Sequence, residues 1–293
     1  MRTHVPRLPG MQRAVRRFMP GETMAEALAA GAALEATGIP ALYTRLGENL
    51  TQMAQADAVA AHYHAVLDAI AERGADGHIS PKLTQLGLDL DPEATYRHCE
   101  SLARHAAEVG SRFWIDMEDS SYVDRTIDLY QRLLTAQPGV GLCLQAYLRR
   151  TPADVERLRS LGPAIRLVKG AYDEPGDRAF RARAEVNAAY REVALAMLPD
   201  AAAGRLGLSL GTHDVELVEE IARMGAEAGH GRDAIEVQML YGIRADQQKR
   251  LRAEGYRVRV LIAYGDYWYP WYVRRLAERP ANLWFALRQL LPW

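Results

Sequence analysis

Eight times over about 250 residues, a short β-rich or apolar run gives way to an amphipathic helical stretch, and this alternation restricts the fold more than any other feature. The runs are "ALYTRLG", "HISPKLT", "RFWIDME", "GLCLQAY", "IRLVKG", "LGLSLGT", "IEVQMLY" and "RVRVLIAYG". Strands alternating with helices predict a parallel sheet made of crossover units. Helix signals lie between them. Asp91-Pro92-Glu93 offers an N-cap with proline in the first turn, and that helix should run towards Gly110. Thr151-Pro152-Ala153-Asp154 repeats the device, and "HDVELVEEIARMG" predicts a stop at Gly225. The expected fold is α/β, a (β/α)8 barrel over residues 39–293, preceded by a helical appendage over residues 1–38 that includes "GETMAEALAAGAALEATG". A doubly wound sheet is the alternative, but it usually carries GxGxxG or GxxxxGK[ST], and neither occurs.

Bulk properties exclude some partners. Net charge is −1, so no overall field favours nucleic acid. No apolar run approaches the ~20 residues that span a bilayer. The basic opening "MRTHVPRLPGMQRAVRRFMPG" lacks the apolar core of a secretory signal. It reads as the start of a helix, with a peripheral contact at the inner face of the membrane as the alternative. Cys99 and Cys143 are the only cysteines and form no CxxC, which suits a reducing compartment and a cytoplasmic protein. Lysine occurs only at Lys82, Lys169 and Lys249 in a chain otherwise dominated by arginine.

In such barrels the active site lies where strands end. Those ends carry Glu48, Lys82, Asp116 with Glu118, Gln145, Lys169, Thr212-His213, Gln238 and Tyr264. A ring of polar groups is harder to ascribe to surface chemistry than any one of them. His213-Asp214 resembles a metal pair, but nothing with ligand spacing completes it, and no metal is expected. Lys169 or Lys82 could form a Schiff base if desolvated, or bind an anion as a cation. Asp116 and Glu118 lie close together on one strand, and only one is expected to face the axis. Arg166 and Lys169 would face opposite sides on a strict period of two, unless the strand breaks at Gly170. "KGAY" after a strand offers backbone N–H groups and a lysine suited to phosphate.

Together "LQAYLRR", "IRLVKGAY", "GTH" and "YGDYWYPWYVRRLAERPAN", in that order, resemble the proline dehydrogenase family, flavoenzymes with a distorted (β/α)8 barrel. The lead-in "GETMAEALAAGAALEATG…LGEN" resembles its single-function bacterial branch. The resemblance implies FAD as cofactor and oxidation of L-proline to Δ1-pyrroline-5-carboxylate, with electrons passed to a quinone. It implies that Arg274 and Arg275 clamp the substrate carboxylate with Lys82, and that Glu278 holds the cluster. Neighbouring arginines on a helix point about 100° apart, so two forks can reach one carboxylate from different directions. By matching positions, Arg166 would lie near the flavin's reactive nitrogen and Gln145 would bond its ring. Lys169, Gly170, Ala171, Thr212 and His213 would hold phosphate and adenosine. Asp116 would stand beside the substrate, Met117 would touch the cofactor through its backbone, and Tyr264 would help line the substrate site. One departure concerns Leu261, where the family usually has a tyrosine packed on the substrate ring. It opens 4-hydroxyproline or another cyclic amino acid as a substrate, while a Schiff-base aldolase on the same barrel is the more remote alternative.

Overall fold

The computed structural model describes residues 17–47 and 50–268. The strands are β1 (Ala41–Arg45), β2 (Gly77–Ile79), β3 (Trp114–Ile115), β4 (Gly141–Gln145), β5 (Ala164–Val168), β6 (Gly207–Gly211), β7 (Ile235–Leu240) and β8 (Arg257–Tyr264). All pair in parallel, in the order β2-β1-β8-β7-β6-β5-β4-β3. The two ends of that order meet through parallel bridges, Ile79 with Phe113 and Lys82 with Asp116. The sheet is thus a nearly closed (β/α)8 barrel, as the alternation predicts.

The α-helices are α1 (Met24–Glu35), α2 (Met53–Glu72), α3 (Pro92–Glu108), α4 (Val123–Ala136), α5 (Thr151–Arg159), α6 (Arg183–Ala202), α7 (Val215–Glu227) and α8 (Ala245–Ala253), with short 3-10 turns at Thr84–Leu86 and Arg232–Ala234. The first precedes β1 and packs on β1 and β8; the others are the crossovers. A capping box starts α1, where Glu26 N–H donates to Thr23 Oγ1 at 3.2 Å and Thr23 N–H to Glu26 Oε2 at 3.0 Å. Asp91 caps α3 as expected, accepting from the N–H of Glu93 and of Ala94 at 3.0 and 2.9 Å.

Two local expectations change. Thr151 does not cap α5: it is the first helical residue, and its hydroxyl donates instead to the carbonyl of Gln145 at 2.6 Å, tying the helix to the end of β4. Gly225 does not stop α7, which continues to Glu227; a side chain at Gly225 would collide with Leu198. The left-handed residue lies further on, at Gly229, with φ +83°.

Apolar side chains of the strands' outer faces and the helices' inner faces form one large core, including Tyr63, Leu67, Tyr130, Tyr190, Ile221 and Ile262. Inside the barrel a smaller cluster, Leu42, Trp114 and Ala164 with Leu261 against it, plugs the centre. Among the described residues no helix is long and apolar enough to cross a membrane.

Candidate active site

Above that plug, four chain segments converge on one guanidinium. Alternation along β5 sends Ile165 and Leu167 to the helix layer and leaves Arg166 inside, only 3% exposed. Its Nη2 donates to the Asp116 carboxylate and, at 2.9 Å, to Ser80 Oγ. Its Nη1 donates to Gln238 Oε1 at 3.3 Å. Ser80 Oγ donates in turn to Asp116 Oδ1 at 2.8 Å, and the Trp114 ring lies 5.0 Å from Arg166 Cζ. Burial alone would lower the guanidinium's pKa. The charge of Asp116, followed by Cys143 and Glu236, overrides it and holds Arg166 above its ordinary value. The site therefore contains a permanent, desolvated cation beside a carboxylate.

The rim around it is one arc. Gln145 ends β4 and pairs with Val168 of β5, which pairs with Gly211 of β6, so Gln145, Lys169 and Thr212 finish neighbouring strands. Gln145 is buried, and its Nε2 donates to the Glu118 carbonyl at 2.7 Å, which fixes the amide's orientation. Met117 is buried between Asp116 and Glu118. The strand does break near Gly170, as the sequence suggests. Lys169 turns outward from the barrel axis, and its Nζ bonds Asn187 Oδ1 at 2.7 Å and Asp214 Oδ2 at 2.6 Å. Burial would raise the Asp214 carboxyl, but the hydrogen bond and charge of Lys169 win and hold it below the usual range. Gly170 has φ +117°, and a Cβ there would run into the Tyr147 ring, so only glycine fits. The Tyr147 hydroxyl is buried with no hydrogen-bond partner among the described residues. Ala171 is exposed, Thr212 Oγ1 accepts from the Asp214 N–H at 3.1 Å, and His213 is half-buried.

Lys82 is half-buried at the mouth, bridged through the backbone to Asp116. Of the two carboxylates that follow β3, only Asp116 faces Arg166. Glu118 turns to the loop after β2, accepting from Thr84 N–H and Oγ1 at 3.2 and 2.8 Å.

The role expected for Tyr264 needs correction. Its ring is 1% exposed and lies on the helix-facing side of β8, with its hydroxyl 2.7 Å from His62 Nε2 of α2. Leu261 and Tyr264 are three residues apart on a strand, so they cannot share a face. Leu261 is the inward one, half-buried against Leu42 and Trp114. Burial, then Arg45, pushes the His62 pKa down to about 4, so a neutral imidazole meets the tyrosine.

Arg274, Arg275, Glu278 and Glu48 lie outside the described residues. Ser80, Trp114 and the role of Gln238 were missed in the sequence. Stepping back two residues from Lys82 and from Asp116 would have found the first two on the same inward face. Among the described residues no three His, Cys, Asp or Glu side chains converge to hold a metal ion. Lys169 engages Asp214, the acidic half of the pair that resembled a metal site.

The family profile described as "Proline dehydrogenase" matches residues 27–288. Proline dehydrogenase 1 of Bacillus subtilis subsp. natto is 35% identical over 282 residues, covering 96% of this chain and 92% of that protein. The proline dehydrogenase of Deinococcus radiodurans is 37% identical over 281 residues, covering 94% and 89%. Among solved structures, proline utilization A of Bdellovibrio bacteriovorus, inactivated by N-propargylglycine, superposes with a TM-score of 0.84 at 22% identity. That likeness supports the fold. It covers 91% of this chain, which spans about a third (32%) of the larger protein. With a family match over nearly its whole length, and near-complete coverage of single-function bacterial relatives, the chain belongs to the proline dehydrogenase family.

Proposed function

We propose that the protein oxidises L-proline to Δ1-pyrroline-5-carboxylate with FAD as cofactor and passes the electrons to a quinone. The observation that carries this reading is the pair of buried Arg166 and half-buried Asp116 inside an arc of polar strand ends, in a chain similar along its length to named proline dehydrogenases. The donor set suits a flavin: a desolvated cation at Arg166 and an oriented buried amide at Gln145. When bound, the flavin supplies the hydride acceptor; the chain supplies position and charge.

In this reading Arg166 would favour the electron-rich reduced ring, Gln145 would hydrogen-bond the flavin and the Met117 backbone would touch it. Lys169, Gly170, Ala171, Thr212 and His213 hold the phosphate and adenosine portions. Support comes from the adjacency of β5 and β6, which brings both loops to one side. Asp116 stands beside the substrate. Lys82, Arg274 and Arg275 bind the carboxylate and Glu278 steadies them. Each charge-assisted bond there is worth about 1.5–3 kcal/mol. Leu261 forms an apolar wall in place of the family's tyrosine. Its inward, half-buried position favours a second reading, in which 4-hydroxyproline or another substituted ring is also accepted. A Schiff-base aldolase through Lys169 is disfavoured, because its Nζ is engaged by Asp214 and Asn187 and points away from the barrel axis. The proposed organisation is a leading segment over residues 1–38 and a catalytic barrel over 39–293, in a cytoplasmic protein that meets the membrane only peripherally.

The test is the absorption spectrum of the purified protein before and after anaerobic L-proline. A flavin spectrum that bleaches with proline is expected. A chain that binds no flavin after reconstitution overturns the reading.

A further inference from the structure

Arg166 is the upper end of a chain of side chains that runs down the barrel. Its Nη1 meets Gln238 Oε1 at 3.3 Å. The Gln238 Nε2 donates to Glu236 Oε1 at 2.7 Å and to Ser209 Oγ at 3.3 Å. Glu236 Oε2 accepts from Arg259 Nε at 3.3 Å, and Arg259 Nη2 reaches both oxygens of Asp76 at 3.0 and 3.2 Å. Gln238 and Arg259 are each 4% exposed, so water is a poor substitute for these partners.

The chemistry of this chain has a direction. A carboxylate only accepts, so the NH2 end of Gln238 must face Glu236, and its oxygen is then the end left for Arg166. An amide turned the other way would set two N–H groups against each other at Arg166 and two oxygens against each other at Glu236. Glu236 is itself fixed from below by Arg259. The mouth-side cation is therefore aimed by a residue two removed from it.

We propose that Gln238, oriented by Glu236, is a positioning residue that holds the Arg166 guanidinium where it tunes the redox cofactor. This rests on the proposed flavin site in one respect only, namely what Arg166 faces. Asp116 and Ser80 grip one edge of the guanidinium, and Gln238 opposes them from the other. Without it the cation swings towards Asp116, and its charge is less available above. Asp116, then Cys143 and Glu236, already act on Arg166 beside its hydrogen bonds to Ser80 and Gln238, so a new carboxylate at position 238 would weaken its field further.

The test uses the flavin-reconstituted protein and its flavin-free form, with Gln238→Leu, Gln238→Glu, Glu236→Leu and Glu236→Gln. In the flavin-bound form the midpoint potential is read beside the melting temperature. Gln238→Leu should disfavour the reduced flavin about tenfold, which is about 30 mV for a two-electron couple. Gln238→Glu should shift it further in the same direction. Glu236→Leu should match Gln238→Leu, and Glu236→Gln, which keeps an acceptor for the amide, should return most of the way to wild type. In the flavin-free form, 15N NMR should show faster rotation of the Arg166 guanidinium in Gln238→Leu and Glu236→Leu. An unchanged potential and an unchanged guanidinium signal in both leucine variants overturn the proposal, even if melting temperatures fall. A wild-type chain that binds no flavin, yet shows the guanidinium loosening, refutes the cofactor reading and leaves the positioning role standing.

Discussion

Among the described residues two arginines are buried inside this barrel, at 3% and 4% exposure, and they are held in different ways. Arg259, near the floor, donates to the main-chain carbonyls of Ala41 and Asp76, both at 3.2 Å, as well as to Asp76 and Glu236 side chains. Arg166, below the mouth, is bonded to the side chains of Asp116, Ser80 and Gln238 and sits over Trp114. A guanidinium that grips backbone on β1 and ahead of β2 fastens strands together. One that grips side chains can be aimed, and its partners can answer when the charge nearby changes. The same residue type thus grips backbone at one end and only side chains at the other, as the proposed chemistry of Arg166 requires.

That contrast can be broken by exchanging outcomes. Arg166→Met should cut kcat/KM by about 10²–10³, the scale for losing one preorganised electrostatic group, roughly 2.7–4 kcal/mol. The melting temperature should fall less than in the floor variant. Arg259→Met should do the reverse, destabilising the fold by about 2–3 kcal/mol. That is below the usual loss for breaking a buried pair, because the Asp76 side chain is 58% exposed. Steady-state kinetics and thermal melts of both variants decide the matter. Matching losses in both measurements would erase the distinction.

A smaller effect belongs to His62, which ties α2 to the mouth end of β8. Its pKa is about 4 in the fold against an ordinary 6.5. Between those values the unfolded chain takes up a proton that the folded chain refuses. The stability due to this group is therefore complete above pH 6.5 and is lost as pH falls towards 4. With the ring partly open to solvent, the loss by pH 5 should be about 1 kcal/mol. Melts at pH 7 and pH 5 should show it in wild type, and His62→Gln should flatten that slope.

The smallest expected change is one of selectivity. Leu261→Tyr should restore discrimination against trans-4-hydroxy-L-proline relative to proline by about 1 kcal/mol, read as a ratio of kcat/KM values. An unchanged ratio would mean that Leu261 does not touch the substrate ring.

The barrel was legible because β5, β7 and β8 are apolar runs closed by glycine or turn residues, and because period-two alternation is local. It was legible also at Asp91, where a cap and a proline coincide. β3 was overread: seven residues looked like a strand, but only Trp114–Ile115 keep the ladder. After them the single backbone bridge of Asp116 to Lys82 and the side-chain bonds take over. The alternation of β8 was available in the sequence and would have separated Leu261 from Tyr264. Gln238 and Glu236 share a face by strand alternation, but the contact of Gln238 with Arg166 was not legible, since it depends on how closely the closed ring brings the inward side chains of β5 and β7 together past β6.

Trp114 gives the site an optical consequence. Its indole N–H donates to His78 Nδ1 at 3.2 Å, with Arg112 5.6 Å and Arg166 5.0 Å from its ring. The ring is fully shielded from solvent, so its emission depends on the local field rather than on water. Any ligand that draws the Arg166 charge upward alters that field. The chain therefore carries a fluorophore under its buried Arg166, and the difference between wild type and Trp114→Phe, among the five tryptophans, would register occupancy from below without a label.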